Sequence, residues 1–184
     1  MQRIFIGLPV EKHAQVLINR LLEPYRGISP AIRWVAQGDR HLTLAFLGPT
    51  NESEVDRLLH SFDRTYRQQS PFQLQFSALQ RFPDSRSGIV ALTGPATRPL
   101  EQMLQATRGL LIGNRIDYES KEFRPHITLA RIRGRNNLHP VIDQQTAIVL
   151  TVSSVVLYQS TLTETGSIYR HLKETCLGQQ KAVK

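Results

Sequence analysis

The apolar positions of the first 25 residues change period. Ile4, Ile6 and Leu8 alternate with Phe5 and Gly7 as on a strand, whereas Val10, Ala14, Leu17, Ile18, Leu21 and Leu22 recur at helical spacing until Pro24. The chain therefore opens β-α. Residues 32–36 and 41–47 read as two further strands, a hairpin or a neighbouring pair, separated by the polar turn at 37–40 and closed by Gly48-Pro49. Acids at Glu52 and Glu54 favour a helix start, and Val55, Leu58, Leu59 and Phe62 give one apolar face to a helix over roughly residues 52–68. Phe72, Leu74 and Phe76 alternate, and residues 89–92 form a short apolar run, so two more strands are expected there. Leu100, Met103, Leu104, Thr107, Leu110 and Leu111 predict a third helix ended by Gly113-Asn114. Residues 124–132, 147–158 and 167–172 complete the strands.

Hairpin-length connections outnumber βαβ crossovers in this order, which predicts antiparallel or mixed sheets in an α+β fold. At 184 residues, 40% of them hydrophobic, the chain can bury one sizeable core, and one domain over residues 1–177 with a polar tail at 178–184 is expected. The polar loop at 134–140 is the internal segment with least sign of order. The net charge of +8 points to an anionic partner such as nucleic acid or a phosphorylated ligand. Cys176 is the single cysteine, which excludes an intrachain disulfide and a cysteine-built zinc site and suits a reducing compartment, so a cytoplasmic location is expected. The apolar stretch at 4–10 is too short for a signal-peptide core or a membrane span, and no membrane partner is expected.

The feature that carries chemistry is a repeat. His41-Leu-Thr-Leu-Ala-Phe46 and His126-Ile-Thr-Leu-Ala-Arg131 agree at His, Thr, Leu and Ala, and nearly half the chain separates them. On a strand, His41 and Thr43 point to one face and Leu42 and Leu44 to the other, and likewise for His126 and Thr128. Two imidazoles that titrate near neutrality can serve as one base and one acid in displacement at phosphorus, and two hydroxyls can donate to its non-bridging oxygens. A single histidine at a strand start is usually structural, and that reading is kept for His13, His60, His139 and His171, which lack the Thr partner. No His-x-x-x-His pair or carboxylate at ligand spacing accompanies His41 and His126, so neither metal nor other cofactor is expected.

HLTLAFLG, which lies downstream of a Trp-containing strand, and FRPHITLAR resemble the paired HxTx signatures of the 2H phosphoesterase superfamily, more closely its RNA 2′,3′-cyclic phosphodiesterase family, also called 2′-5′ RNA ligases. The resemblance runs from RIFIGLP at residues 3–9 to GSIYRHL at 166–172. It implies a bilobal α+β fold with two antiparallel sheets related by a pseudo-twofold axis, helices outside, and a central cleft lined by the four motif side chains. It further implies an RNA or nucleotide substrate ending in a 2′,3′-cyclic phosphate, hydrolysed without metal to a 2′-phosphate, with ligation to a 5′-hydroxyl as the reverse reaction. His41 matches the family's proton donor and His126 its proton acceptor, while Thr43 and Thr128 match its phosphate-binding hydroxyls. Arg131 matches a phosphate-contacting arginine, yet strict alternation puts it out of phase with His126 and Thr128, so a twist or bulge is required. Phe46, its counterpart, falls by the same alternation on the core face.

Arg40, Arg124, Arg131, Arg133 and Arg135 can form a basic rim for an RNA backbone or a merely solvated surface. Trp34 and Phe123, each just upstream of a motif, are candidate stacking platforms or core residues. Two other readings stand beside RNA-end hydrolysis: a phosphodiesterase for a small nucleotide metabolite, and a module that holds RNA ends without turnover. The chain is expected to act as a monomer.

Overall fold

The computed structural model describes residues 1–119, 122–133, 142–163 and 166–178. Its elements run β1 (Gln2–Pro9), α1 (Lys12–Leu22), β2 (Ile32–Trp34), β3 (His41–Thr50), α2 (Glu52–Tyr66), β4 (Phe72–Phe82), β5 (Ile89–Thr93), α3 (Arg98–Gly113), β6 (His126–Ile132), β7 (Gln144–Val152), β8 (Ser154–Thr163) and β9 (Gly166–Cys176). The helix starts are set by local chemistry. Glu11 caps α1 by accepting from the backbone N–H groups of His13 and Ala14. Asn51 and Glu54 cap α2 reciprocally: Asn51 Oδ1 accepts from the Glu54 N–H at 2.9 Å, and Glu54 Oε2 from that of Asn51 at 2.8 Å.

The described strands make one antiparallel sheet in the order β7-β4-β5-β6-β3-β1-β8-β9. It consists of two four-stranded halves, each with a His-x-Thr strand innermost, so the two expected sheets meet as one. They join at a single pair, Leu42 with Ile127. The edge of β6 that β3 leaves is taken by β2, with Trp34 paired to Ala130 and Ile32 to Ile132. The helices cover one face: α1 packs on β7, α2 on β9 and α3, and α3 also on β3. Ile4, Ile6 and Leu8 of β1, Leu42 of β3, Leu92 of β5 and Ile127 of β6 meet Ile18 of α1, Leu58 and Phe62 of α2 and Leu111 of α3 in a continuous core. Within it the Tyr66 hydroxyl and Thr107 Oγ1 are 2.9 Å apart, so the buried phenol has a partner.

Three expectations need correction. Residues 32–36 form no hairpin with β3, because β2 pairs across the chain with β6. Gly48-Pro49 does not end β3, which continues to Thr50; the irregularity falls at Leu47, and Gly48 takes φ 71°, open to a residue without Cβ. The apolar run at 147–158 is two strands, β7 and β8, divided at Ser153. The loop at 134–140 and the tail beyond Gly178 lie outside the described residues.

Candidate active site

Both His-x-Thr strands carry the same irregularity. In β3, Thr43 faces Gly7 and Ala45 faces Ile6, leaving Leu44 as an extra residue. In β6, Thr128 faces Ala91 and Ala130 faces Val90, leaving Leu129 extra. Each bulge buries two successive residues, Leu44-Ala45 and Leu129-Ala130, and so inverts the phase of the residues beyond it. Arg131 is thereby returned to the face of His126 and Thr128, by the bulge that its phase requires. Phe46 returns to the face of His41 and Thr43 in the same way. This corrects its expected core role: it packs with Phe5, Tyr158 and Tyr169 on the histidine face.

The register of the Leu42–Ile127 pair sets the geometry. Antiparallel pairing there puts His41 across from Thr128 and Thr43 across from His126, all four opposite the core face. The histidines occupy one diagonal of this rectangle and the threonines the other. Strand spacing and rise make such a diagonal roughly 8 Å between Cα atoms. A tetrahedral anion at the centre would have an imidazole on either side and a hydroxyl at each remaining corner.

Each ring is held by a backbone carbonyl two residues earlier. His41 Nδ1 lies 2.7 Å from Asp39 O, and His126 Nδ1 lies 2.8 Å from Arg124 O. A carbonyl oxygen only accepts, so Nδ1 carries the proton in both rings and Nε2 is left to accept or donate. Burial lowers the pKa of His41 to about 4, against the opposing pull of the Asp39 carbonyl, and the charges of His126 and His171 push the same way as burial. Burial also lowers His126; its carbonyl bond opposes this and the Arg124 charge reinforces it. Both imidazoles of the free protein are thus held neutral at neutral pH.

His41 sits in an aromatic box whose ring centroids are 4.7 Å (Phe5), 5.3 Å (Tyr158) and 5.1 Å (Tyr169) away. Gly7 is the floor of the box: a Cβ there would stand 3.0 Å from Leu42 O and 3.4 Å from both His41 Cδ2 and Tyr158 Cε2. His126 instead stacks on Phe82, with centroids 4.0 Å apart and planes 19° apart. Sequence reasoning misses these rings, because strands β1, β4, β8 and β9 bring them in from distant positions. It also sets aside His171, whose ring meets Tyr158 at 4.8 Å and whose charge reaches His41.

The arginines divide. Arg131 is exposed on the histidine face, and Arg33, unanticipated, is its cross-strand neighbour on β2. Arg124 lies over the Phe82 ring at 4.9 Å and donates to Pro83 O at 3.1 Å, beside His126. Arg40 is no part of a rim. It is buried, and its Nη1 donates to Gln15 Oε1 and Asn19 Oδ1 of α1, both at 2.9 Å. Arg133 is exposed, and Arg135 lies outside the described residues. Trp34 packs against the main core rather than the histidine face, whereas Phe123 packs partly on the core and partly lines a cavity of about 440 Å³ beside His126. Among the described residues no three His, Cys, Asp or Glu side chains cluster as a metal site, and no helix is long and apolar enough to cross a membrane.

The family model of the 2′-5′ RNA ligase superfamily matches residues 15–164. An RNA 2′,3′-cyclic phosphodiesterase of Aeropyrum pernix is 32% identical over 171 residues, 85% of this chain and 93% of that protein. Among solved structures, TT0787 of Thermus thermophilus shares the fold with a TM-score of 0.82 at 23% identity, over 96% of this chain and 98% of that one. E. coli LigT in its apo form superposes with a TM-score of 0.76 at 26% identity, over 97% of this chain and 98% of that one. Because the family match spans most of the chain and takes in both His-x-Thr strands, the chain belongs to the 2′-5′ RNA ligase superfamily.

Proposed function

We propose that the protein hydrolyses the 2′,3′-cyclic phosphate of an RNA or nucleotide end, opening the bond to O3′ and leaving a 2′-phosphate. The observation that carries this reading is the diagonal placement of two histidines with identical Nδ1 anchors and free Nε2 atoms. Displacement at phosphorus needs a base behind the entering oxygen and an acid behind the leaving one, and this arrangement offers both. The relative from Aeropyrum pernix, named for the same reaction, supports it.

Thr43, Thr128 and Arg131 hold the non-bridging oxygens. His126 Nε2 takes a proton from water as its oxygen attacks phosphorus, and its neutral form, favoured by burial and by Arg124, is the form a base requires. The P–O3′ bond breaks, and His41 Nε2 delivers its proton to O3′. His41 must first be protonated, against its low pKa; the negative charge of the bound phosphate raises that pKa and so charges the ring only when substrate is present. The hydroxyls and the guanidinium take up the charge that grows on phosphorus in the transition state. With a 5′-hydroxyl in place of water, the same two rings in the same roles join RNA ends through a 2′-5′ link as the P–O3′ bond breaks. The basic face of Arg33, Arg124 and Arg131 suits the backbone of such a substrate.

Incubation with a nucleoside 2′,3′-cyclic phosphate, with the product read by ³¹P NMR, tests the reading. A 2′-phosphate product is expected; a 3′-phosphate, or no product, would contradict it.

A further inference from the structure

Arg40 is a buried cation without a counter-charge. Only 5% of it is exposed, and it pairs with no carboxylate among the described residues. Its hydrogen bonds to the amide oxygens of Gln15 and Asn19 both start from Nη1. Those amides are fixed in turn: Gln15 Nε2 donates to Val10 O at 3.3 Å and Gln37 O at 2.7 Å, and Asn19 Nδ2 to Gln37 Oε1 at 3.3 Å. With their nitrogens so engaged, both turn oxygen towards the guanidinium and hold its orientation. The other edge of the group is unused. Nε is buried without a hydrogen-bond partner, and Nη2 has none among the described residues. Nε–H and Nη2–H run parallel, the geometry in which a guanidinium grips two oxygens of one phosphate or carboxylate. Burial and, after it, the charge of Arg26 lower the Arg40 pKa, and no acidic group opposes them. Buried charges are ordinarily paired, so this one calls for an anion.

Arg40 lines a cavity of about 310 Å³ between α1, β2 and the turn at 37–39. The lining holds two arginines, Arg26 and Arg40, and no acid; Glu23, 3.3 Å from Arg26, stands outside it. That balance suits a dianion better than a monoanion. The volume lies at the low end of ligand sites, roughly 300–1,000 Å³, and so suits a compact molecule. Trp34 adds an apolar wall. The cavity is on the helix side of the sheet, because Arg40 alternates with His41 to reach α1 and Trp34 packs on the main core. It is thus apart from the phosphate position between the histidines, yet it touches what holds one of them. Gln37 lines it, and the same turn ends in Asp39, whose carbonyl anchors His41 Nδ1 at 2.7 Å.

We propose that this cavity is a second anion site, which binds a small phosphomonoester of sugar-phosphate size. The dianionic phosphate takes the Nε–Nη2 edge of Arg40 and the charge of Arg26, and the carbon skeleton lies against Trp34. The site is on the reverse of the sheet from the reacting centre and does not draw on the acid/base reading. Its occupant bears on the turn that anchors His41, which is the route by which a ligand there reaches the acid.

Trp34 is the single tryptophan of the chain, so its emission reports on this cavity. Ribose 5-phosphate is the probe, with sodium acetate at equal ionic strength as the control. A saturable change in emission is expected with ribose 5-phosphate and not with acetate. Arg40→Met should raise the midpoint by about tenfold or more, the scale of a lost hydrogen bond to a charged group. Arg26→Ala should raise it by less, and Ala36→Phe, which fills the cavity, should abolish the response. Arg26 and Ala36 are exposed, so these two variants carry the test if Arg40→Met fails to fold. Arg131→Ala, on the histidine face, should leave the midpoint unchanged. No saturable change in the unaltered protein, an equal response to acetate, or a response that survives both Ala36→Phe and Arg26→Ala intact would overturn the site. So would a response lost in Arg131→Ala, which would put the phosphate between the histidines alone. None of these readouts depends on turnover, so failure of the anion site and failure of the hydrolytic reading are seen separately.

Discussion

His41 and His126 donate Nδ1–H to carbonyls at the same offset in the chain, Asp39 O at 2.7 Å and Arg124 O at 2.8 Å. The two halves of the sheet thus reproduce the His-x-Thr motif and also the tautomer that leaves Nε2 on the reacting side. What differs is the setting. Three aromatic rings enclose His41, while His126 rests on one and has a guanidinium near by.

¹⁵N-edited NMR of the free protein should find Nδ1 protonated and Nε2 bare in both rings at pH 7, with His41 titrating near pH 4. Saturating inorganic phosphate should raise the His41 pKa towards neutrality, since an anion between the rings favours the imidazolium. A His41 pKa that phosphate leaves unchanged would remove the account of how this ring becomes an acid.

The same shift predicts a pH dependence of stability. The folded pKa of His41, about 4, lies below the ordinary value of 6.5, so the unfolded chain binds the proton more readily across that window. Stability contributed by the neutral ring is present above pH 6.5 and is lost as pH falls towards 4. Between pH 7 and pH 5 the loss is about 2 kcal/mol. Urea unfolding of His41→Ala should show a pH 7-to-5 decline smaller than that of the unaltered protein by about this amount; equal declines would contradict it.

How far the site is legible in the sequence depends on periodicity. The four His and Thr positions are legible because each motif keeps strict alternation from His to Thr, and nothing irregular intervenes. Beyond Thr43 and Thr128 the alternation breaks, and only the repeated pairs Leu44-Ala45 and Leu129-Ala130 betray it. Two adjacent apolar residues in a half-exposed strand, twice at the same offset, are the available sign of a bulge; without it alternation assigns Phe46 to the wrong face. The strand partners of β2 and the burial of Arg40 under α1 depend on contacts distant in sequence, as do the rings of Phe5, Phe82, Tyr158 and Tyr169 around the histidines. No local pattern encodes them. The boundary between β7 and β8 is hidden because a two-strand corner at Ser153 needs neither Gly nor Pro.

Thr43→Val and Thr128→Val keep shape and remove one donor each. If the hydroxyls serve the transition state, each should lower kcat on a cyclic nucleotide by about 100-fold, in line with the loss of an oxyanion donor. Arg131→Ala, which removes a charge-assisted contact, should weaken binding of a 2′-phosphate product by about tenfold or more. Unaltered product affinity in Arg131→Ala, measured by calorimetry, would show that the bulge aims this side chain elsewhere.

In the mechanism proposed above, two histidines and no metal carry the reaction. Its most direct measurement is the initial rate of opening of a nucleoside 2′,3′-cyclic phosphate, in EDTA, by the unaltered protein and by His41→Ala and His126→Ala, with thermal unfolding confirming that each variant is folded. An undiminished rate is expected for the unaltered protein in EDTA, and a fall of about 100-fold or more in each variant. Near-native turnover by either folded variant, or a rate abolished by EDTA and restored by a divalent cation, would contradict it.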